Sequence, residues 1–179
     1  MLEELEVLRI VGERLEAAQL PYMLTGSFAM AYYGKPRMTR DLDIVVALRE
    51  DGVAGLVASL SPDFYIDAAS ARSAVISQRL FNLMHLGTSI KVDLIVRKDS
   101  EYRQVEFARR QSVHMEGVRT WIVSREDLIL SKLIWAKDSE SELQRRDVRT
   151  LLDESMDRAY LDRWASQLGV AADLAEIAQ

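Results

Sequence analysis

Leu24-Thr25-Gly26-Ser27-Phe28-Ala29-Met30, followed after a short loop by Arg37-Met38-Thr39-Arg40-Asp41-Leu42-Asp43-Ile44-Val45-Val46, is the stretch on which the reading of this chain turns. Tyr22 to Thr25 is a short apolar run that suits a strand. Gly26-Ser27 opens a helix, Phe28 to Tyr33, that ends at Gly34. A Gly-Ser pair between strand and helix leaves backbone N–H groups at a helix N-terminus, where the helix dipole favours a phosphate. The same pair also serves where a tight turn and an N-cap are all that is required. Asp41 to Ala47 is rich in β-branched residues and reads as a strand. Residues two apart on a strand share a face, so Asp41 and Asp43 lie beside Val45 while Leu42, Ile44 and Val46 point the other way. Two adjacent carboxylates repel and raise each other's pKa unless a cation lies between them. Mg²⁺, which takes one or two carboxylates together with substrate phosphates, meets that need. A solvated edge-strand face is the plainer alternative.

A third carboxylate shifts the balance. Ile90, Val92, Leu94 and Val96 mark one face of a later strand, and Lys91, Asp93 and Ile95 the other. Asp93 thus interrupts an apolar strand, where an unpartnered carboxylate is costly. If the two strands are neighbours, three carboxylates converge on one sheet face, the minimum for two-metal phosphoryl transfer.

Outward from this block, Leu5, Leu8, Val11, Gly12, Leu15 and Ala18 fall at helical spacing, which predicts an amphipathic helix over Glu3 to Gln19 that Pro21 stops. A helix is expected from about Asp51 to Leu60 and an edge strand from Phe64 to Ile66. Leu80 to Leu86 and Ile90 to Val96 flank Gly87-Thr88-Ser89 as a hairpin. Ser100 to Arg110 reads as helix and Arg119 to Val123 as a last strand. Ser124 is expected to cap a helix, Glu126 to Lys137, with Asp127 answering the cap. Helices follow at about Glu142 to Asp153, Arg158 to Leu168 and a short tail. Strand–helix alternation followed by helices alone predicts an α+β fold. Its mixed-sheet core would span 1–123 and its helical subdomain 124–179.

Gly26-Ser27, then Arg37-x-Thr39-x-Asp41-x-Asp43, then an isolated strand Asp93, resembles the DNA polymerase β superfamily of nucleotidyltransferases, most closely its minimal and AbiEii-type branch, which includes toxins of toxin–antitoxin systems. That branch continues with a helix carrying a lysine and a helix carrying an aspartate. Lys132, within Ser124 to Leu133, and Asp147, within Arg146 to Leu152, match them. The resemblance covers about Thr25 to Leu152. It implies Mg²⁺ (or Mn²⁺) held by Asp41, Asp43 and Asp93, with Asp43 contacting both metals, and an NTP as substrate. Gly26, Ser27, Arg37, Thr39 and Lys132 would bind the nucleotide, and Asp147 would complete the catalytic set. The acceptor would be a tRNA end, a protein hydroxyl or a small molecule such as an aminoglycoside, and a toxin would have a small antitoxin protein as partner. The alternative is a catalytically silent nucleotide-binding or regulatory protein of the same fold.

The residues weigh on the helical additions independently. Lys132 shares an apolar helix face with Leu128 and Trp135; it either snorkels to solvent or is held at a cleft suited to a triphosphate. Asp147 lies on the face of Leu143 and Leu151, with Arg145, Arg146 and Arg149 beside it as salt-bridge partners.

The chain has 179 residues, 49% hydrophobic and 28% charged, the balance of a soluble globular protein. It has no cysteine, so disulfides and thiolate chemistry are excluded. The acidic start, Met1-Leu2-Glu3-Glu4, is unlike a secretory signal, and no stretch suits a membrane span, so a cytoplasmic protein without a membrane partner is expected. A net charge of -5 disfavours a non-specific grip on long nucleic acid. Arg97, Lys98, Arg103, Arg109, Arg110 and Arg119, interleaved with Asp99, Glu101, Glu106 and Glu116, read as a solvated face of mixed charge. His85 and His114 lack metal-ligand spacing. Trp121, Trp135 and Trp164 are expected to pack the helical part.

Overall fold

Alternating burial along two strands sets the architecture. In β2 (Asp41–Val46) and β5 (Lys91–Val96) every second side chain is buried, Leu42, Ile44 and Val46 in one and Val92, Leu94 and Val96 in the other. The two run parallel and in register from Asp41 opposite Lys91 to Val46 opposite Val96. The computed structural model describes residues 2–34 and 41–178. Among these, β1 (Tyr22–Thr25), β3 (Phe64–Ile66), β4 (Leu80–His85), β6 (Gln111–Met115) and β7 (Val118–Ile122) complete a seven-stranded mixed sheet of order β3-β4-β5-β2-β1-β7-β6. β1 lies antiparallel to β2 and parallel to β7. β4 and β5 form the expected hairpin, and β3 is indeed an edge.

The apolar face of the sheet is covered by α1 (Leu2–Ala17), α3 (Val53–Leu60) and α4 (Ala68–Ile76), which pack on one another and against β7, β3 and β4. α2 (Gly26–Tyr33) crosses the opposite face beside β1 and β2, and α6 (Arg125–Ser139) and α7 (Glu142–Leu151) pack behind it. This second face is covered over only part of its width. Tyr65, Leu80 and Met84, on the same face of β3 and β4, are exposed, Tyr65 by 69%. A single hydrophobic core runs from the strands into α6, α7 and α8 (Arg158–Gln167), taking in Leu133, Val148 and Leu161. Fully burying one such side chain contributes ~1.5–3 kcal/mol. α9 (Ala171–Ile177) closes the helical part. Among the described residues no helix is long and apolar enough to cross a membrane.

Ser124 caps α6 as the sequence predicts, but Asp127 answers the hydroxyl of the cap where its amide is expected. Ser124 Oγ accepts from the Asp127 amide at 3.2 Å and donates to Asp127 Oδ2 at 2.6 Å. Asp127 is wholly buried, and Arg109 Nε (3.1 Å) and the Tyr160 hydroxyl (2.6 Å) supply its remaining donors. α5 (Glu101–Ala108) is tied to α6 in the same way, because buried Glu106 accepts from Arg103 at 2.8 Å and from Ser131 at 2.7 Å. Arg103 and Arg109 therefore do not belong to a solvated face. They neutralise carboxylates buried between α5, α6 and α8.

Two elements have no counterpart in the sequence reading, α4 and β6. Asp67 caps α4, accepting from the Ser70 amide at 2.6 Å. β6 joins β7 through Glu116-Gly117, both at positive φ, with Met115 opposite Val118. That is the two-residue hairpin turn whose twist matches its strands. Of the tryptophans, Trp164 is buried in the helical part, Trp121 lies on β7, and Trp135 is 57% exposed. Trp135 sits on the outer face of α6 and does not pack the helical core.

Candidate active site

Strand register assembles the site. On the partly open face, Asn82 of β4, Asp93 of β5, Asp43 of β2 and Thr25 of β1 stand opposite one another in one cross-strand row. Met84, Lys91 and Asp41 form the next. Asp43 and Asp93 are thus direct neighbours across a parallel pair, on the sheet face and adjacent strands that the sequence predicts.

Thr25 is the N-cap residue of α2 but makes no side-chain cap bond, and Gly26 follows at φ +66°. A Cβ built on Gly26 would stand 1.9 Å from Asp43 Oδ2 and 2.7 Å from its Cγ. Glycine is therefore required twice, by the left-handed backbone and by the carboxylate lying against it. The first turn of α2 and Asp43 share one small space.

The electrostatics follow. Burial first, then the charges of Asp93 and Asp41, push the Asp43 carboxyl up from 3.8 to about 6, against the smaller opposing pull of Lys91 and Lys132. Asp93 is differently placed. Its Oδ2 accepts from Lys91 Nζ at 2.9 Å and its Oδ1 from Asn82 Nδ2. That hydrogen bond, and behind it the charges of Asp93, Asp41 and Asp43, raise the pKa of Lys91.

Neither a protein-family model nor a curated protein matches the chain. Solved structures do. An antigenic nucleotidyltransferase-like protein from Paracoccidioides brasiliensis superposes with a TM-score of 0.58 at 17% identity, over 98% of this chain and 91% of that one. A lincosamide antibiotic adenylyltransferase, LnuA, with lincomycin bound, gives 0.56 at 13% identity, over 84% and 96%. The complex of ANT(2″)-Ia with adenylyl-2″-tobramycin gives 0.56 at 12% identity, over 98% and 97%. The chain has the nucleotidyltransferase fold. At these identities it is the path of the backbone that is shared.

Within this nucleotidyltransferase fold the donor set can be tested against a divalent cation. Hard carboxylate oxygens next to a helix N-terminus are what Mg²⁺ takes together with phosphate oxygens. Asp41 and Asp43 fit that description, and a cation beside them would offset the burial and the neighbouring carboxylates that raise the Asp43 pKa. A cage of three is not formed. Among the described residues no three Asp, Glu or His side chains are grouped to hold a metal ion. Asp93, the third carboxylate, is engaged by Lys91 and Asn82 instead.

Lys132 and Asp147 meet. Both are 4% exposed, and Lys132 Nζ donates to Asp147 Oδ2 at 2.7 Å and to Gln144 Oε1 at 3.0 Å. The lysine neither snorkels to solvent nor projects to the far side of the molecule. It is buried between α6 and α7, and its charge still reaches Asp43. Ser27 lies half-buried in the first turn of α2. Arg37 and Thr39 lie outside the described residues. The sequence reading gave no role to Asn82, Lys91 or Gln144. Lys91, two residues before Asp93 on the same strand face, carried a local signal. Asn82 and Gln144 become visible only through register and helix packing.

Proposed function

We propose that this chain is a metal-dependent nucleotidyltransferase that moves a nucleotide from an NTP to an acceptor hydroxyl. The observation that carries the reading is Asp43, set opposite Asp93 in register and pressed against Gly26 at the start of α2. Asp41 and Asp43 would hold Mg²⁺ or Mn²⁺, with Asp93 joining them on the acceptor side. A cation held there would supply positive charge to the phosphate oxygens. In the transfer the acceptor oxygen bonds the α-phosphorus, the bond from that phosphorus to pyrophosphate breaks, and the hydroxyl proton passes to solvent. The chain's own residues bind and orient. The N–H groups of Gly26 and Ser27 face the phosphates, Arg37 and Thr39 complete the nucleotide contacts, and Asp93 orients the acceptor hydroxyl. Lys132, fixed by Asp147 and Gln144, supplies positive charge behind the carboxylates.

Small hydroxylated molecules are the acceptor class we favour. The similar structures that hold lincomycin and adenylyl-2″-tobramycin support it, as does the net charge of -5, which suits a long polyanion poorly. Transfer to a tRNA end is the second acceptor class, the one consistent with a toxin of a toxin–antitoxin pair that has a small antitoxin protein as partner. The test is incubation of the purified protein with each labelled NTP and Mg²⁺ against hydroxylated antibiotics, total tRNA and a protein extract. Label should pass to one acceptor class and fail to do so with Asp43→Asn. Transfer by Asp43→Asn at the wild-type rate would refute the proposal.

A further inference from the structure

Both oxygens of Asp93 accept from side chains that strand register sets beside them. Asn82 stands directly opposite Asp93 in the β4–β5 ladder, and its Nδ2 donates to Oδ1. Lys91 precedes Asp93 by two residues on one face of one strand, and its Nζ donates to Oδ2 at 2.9 Å. Lys91 also stands opposite Asp41 in the β2–β5 pair. Its ammonium therefore lies within the field of all three carboxylates. The two partners differ in freedom. The Lys91 side chain is 37% exposed and can swing into solvent, whereas that of Asp93 is 13% exposed and cannot.

We infer that Lys91 is an internal counter-ion which, with Asn82, holds Asp93 in a resting arrangement and gives it up when a divalent cation binds. This rests on the metal-dependent reading above. Three carboxylates without a cation would repel one another, and Lys91 relieves that in the metal-free chain. An ammonium and a divalent cation repel at contact distance, so they compete for Asp93. The competition is reciprocal: whatever Lys91 adds to the metal-free fold it subtracts from metal affinity. Lys91 is thus a positioning residue that sets how much cation is needed to assemble the site.

The test uses Lys91→Met, Lys91→Gln and Lys91→Arg in the full chain. Mn²⁺ binding is measured by calorimetry with and without a non-hydrolysable NTP analogue, and melting is followed in EDTA and in Mn²⁺. Lys91→Met and Lys91→Gln should bind Mn²⁺ ~10-fold tighter. They should melt below wild type in EDTA, with the gap closing as Mn²⁺ is added. Lys91→Arg should keep the wild-type affinity. In the wild-type protein itself, with the NTP analogue present, the ¹⁵N-lysine signal of the Lys91 ammonium should shift on addition of Mg²⁺, a readout that needs no variant to fold. A lower melting point with unchanged Mn²⁺ affinity, or a lysine signal indifferent to Mg²⁺, would overturn the counter-ion role and leave the transferase reading standing. Absence of Mn²⁺ binding by wild type and variants alike, even with the analogue, would overturn both.

Discussion

At Gly26 two demands coincide, a φ of +66° and a neighbouring carboxylate at contact distance. Gly26→Ala puts a methyl group where Asp43 Oδ2 now lies, so either the backbone of α2 or the aspartate must move. We expect a loss of about 2–4 kcal/mol in urea unfolding and at least ~10²-fold in nucleotide transfer, because a displaced carboxylate no longer meets its ligand. Wild-type transfer by a folded Gly26→Ala protein would mean that this contact has no part in the site. At Asp43 the sign of the pH effect can be worked out. A carboxyl raised from 3.8 to about 6 binds its proton more tightly folded than unfolded. Its contribution to stability is therefore complete below about pH 4, declines as pH rises, and is a full penalty above about pH 6. The penalty is about 2–3 kcal/mol, at 1.36 kcal/mol per unit. Asp43→Asn should accordingly be the more stable protein in EDTA at about pH 8, and the advantage should vanish at about pH 3.5. Urea melts at the two pH values check this, and a gain equal at both would trace to something other than the charge.

Elements differ in how far local sequence announces them. β2 and β5 were legible because period-two burial and an intruding aspartate are written within six residues each. α6 was legible through Ser124 and Asp127, whose mutual bonds need only a spacing of three. α4 was not, because Ala71, Ala74 and Val75 make too faint an apolar stripe to show a period. β6 escaped because only Val113 and Met115 turn inward. The misread arginines have a different cause. Interleaved charges look the same whether solvated or paired, and the carboxylates that claim Arg109, Glu126 and Asp127, come from a helix 17 and 18 residues further on. Lys132 and Asp147 were individually visible, but their pairing required α6 and α7 to pack. That pairing sets a test at the scale of the helix pair. Lys132→Met removes the ammonium that donates to buried Asp147 at 2.7 Å and should cost about 3–5 kcal/mol. Replacing both partners, as Lys132→Met with Asp147→Leu, should return stability close to wild type, since apolar pairs substitute well for buried ion pairs. NTP affinity should not return with it. A double variant that binds NTP as wild type does would reduce the pair to a structural link between α6 and α7.

Across the whole molecule, the parts assigned to the ligand are scattered from Gly26 to Asp147: one sheet face, the first turn of one helix and a lysine held between two others. Only the folded chain brings them together, so a ligand that touches all of them stabilises the native state by mass action. The two halves of that ligand need each other. An NTP alone brings its negative charge towards Asp41, Asp43 and Asp93 and is repelled. A divalent cation alone meets Lys91 already on Asp93 and lacks the phosphate oxygens that complete its shell. Together each removes the other's obstacle. At ~100 times the dissociation constant, NTP with Mg²⁺ should add about 2.7 kcal/mol, raising the melting temperature by ~5–10 °C for a chain of this size. NTP in EDTA, or Mg²⁺ without nucleotide, should each give less than ~2 °C, well under half of the combined shift. Asp43→Asn should abolish the synergy while melting cooperatively, because it removes a charge on which the cation depends and leaves the packing beside Gly26 in place. If NTP shifts the melting temperature equally with Mg²⁺ and with EDTA, nucleotide binding does not run through the carboxylates. The sheet face would then be a binding surface without metal chemistry.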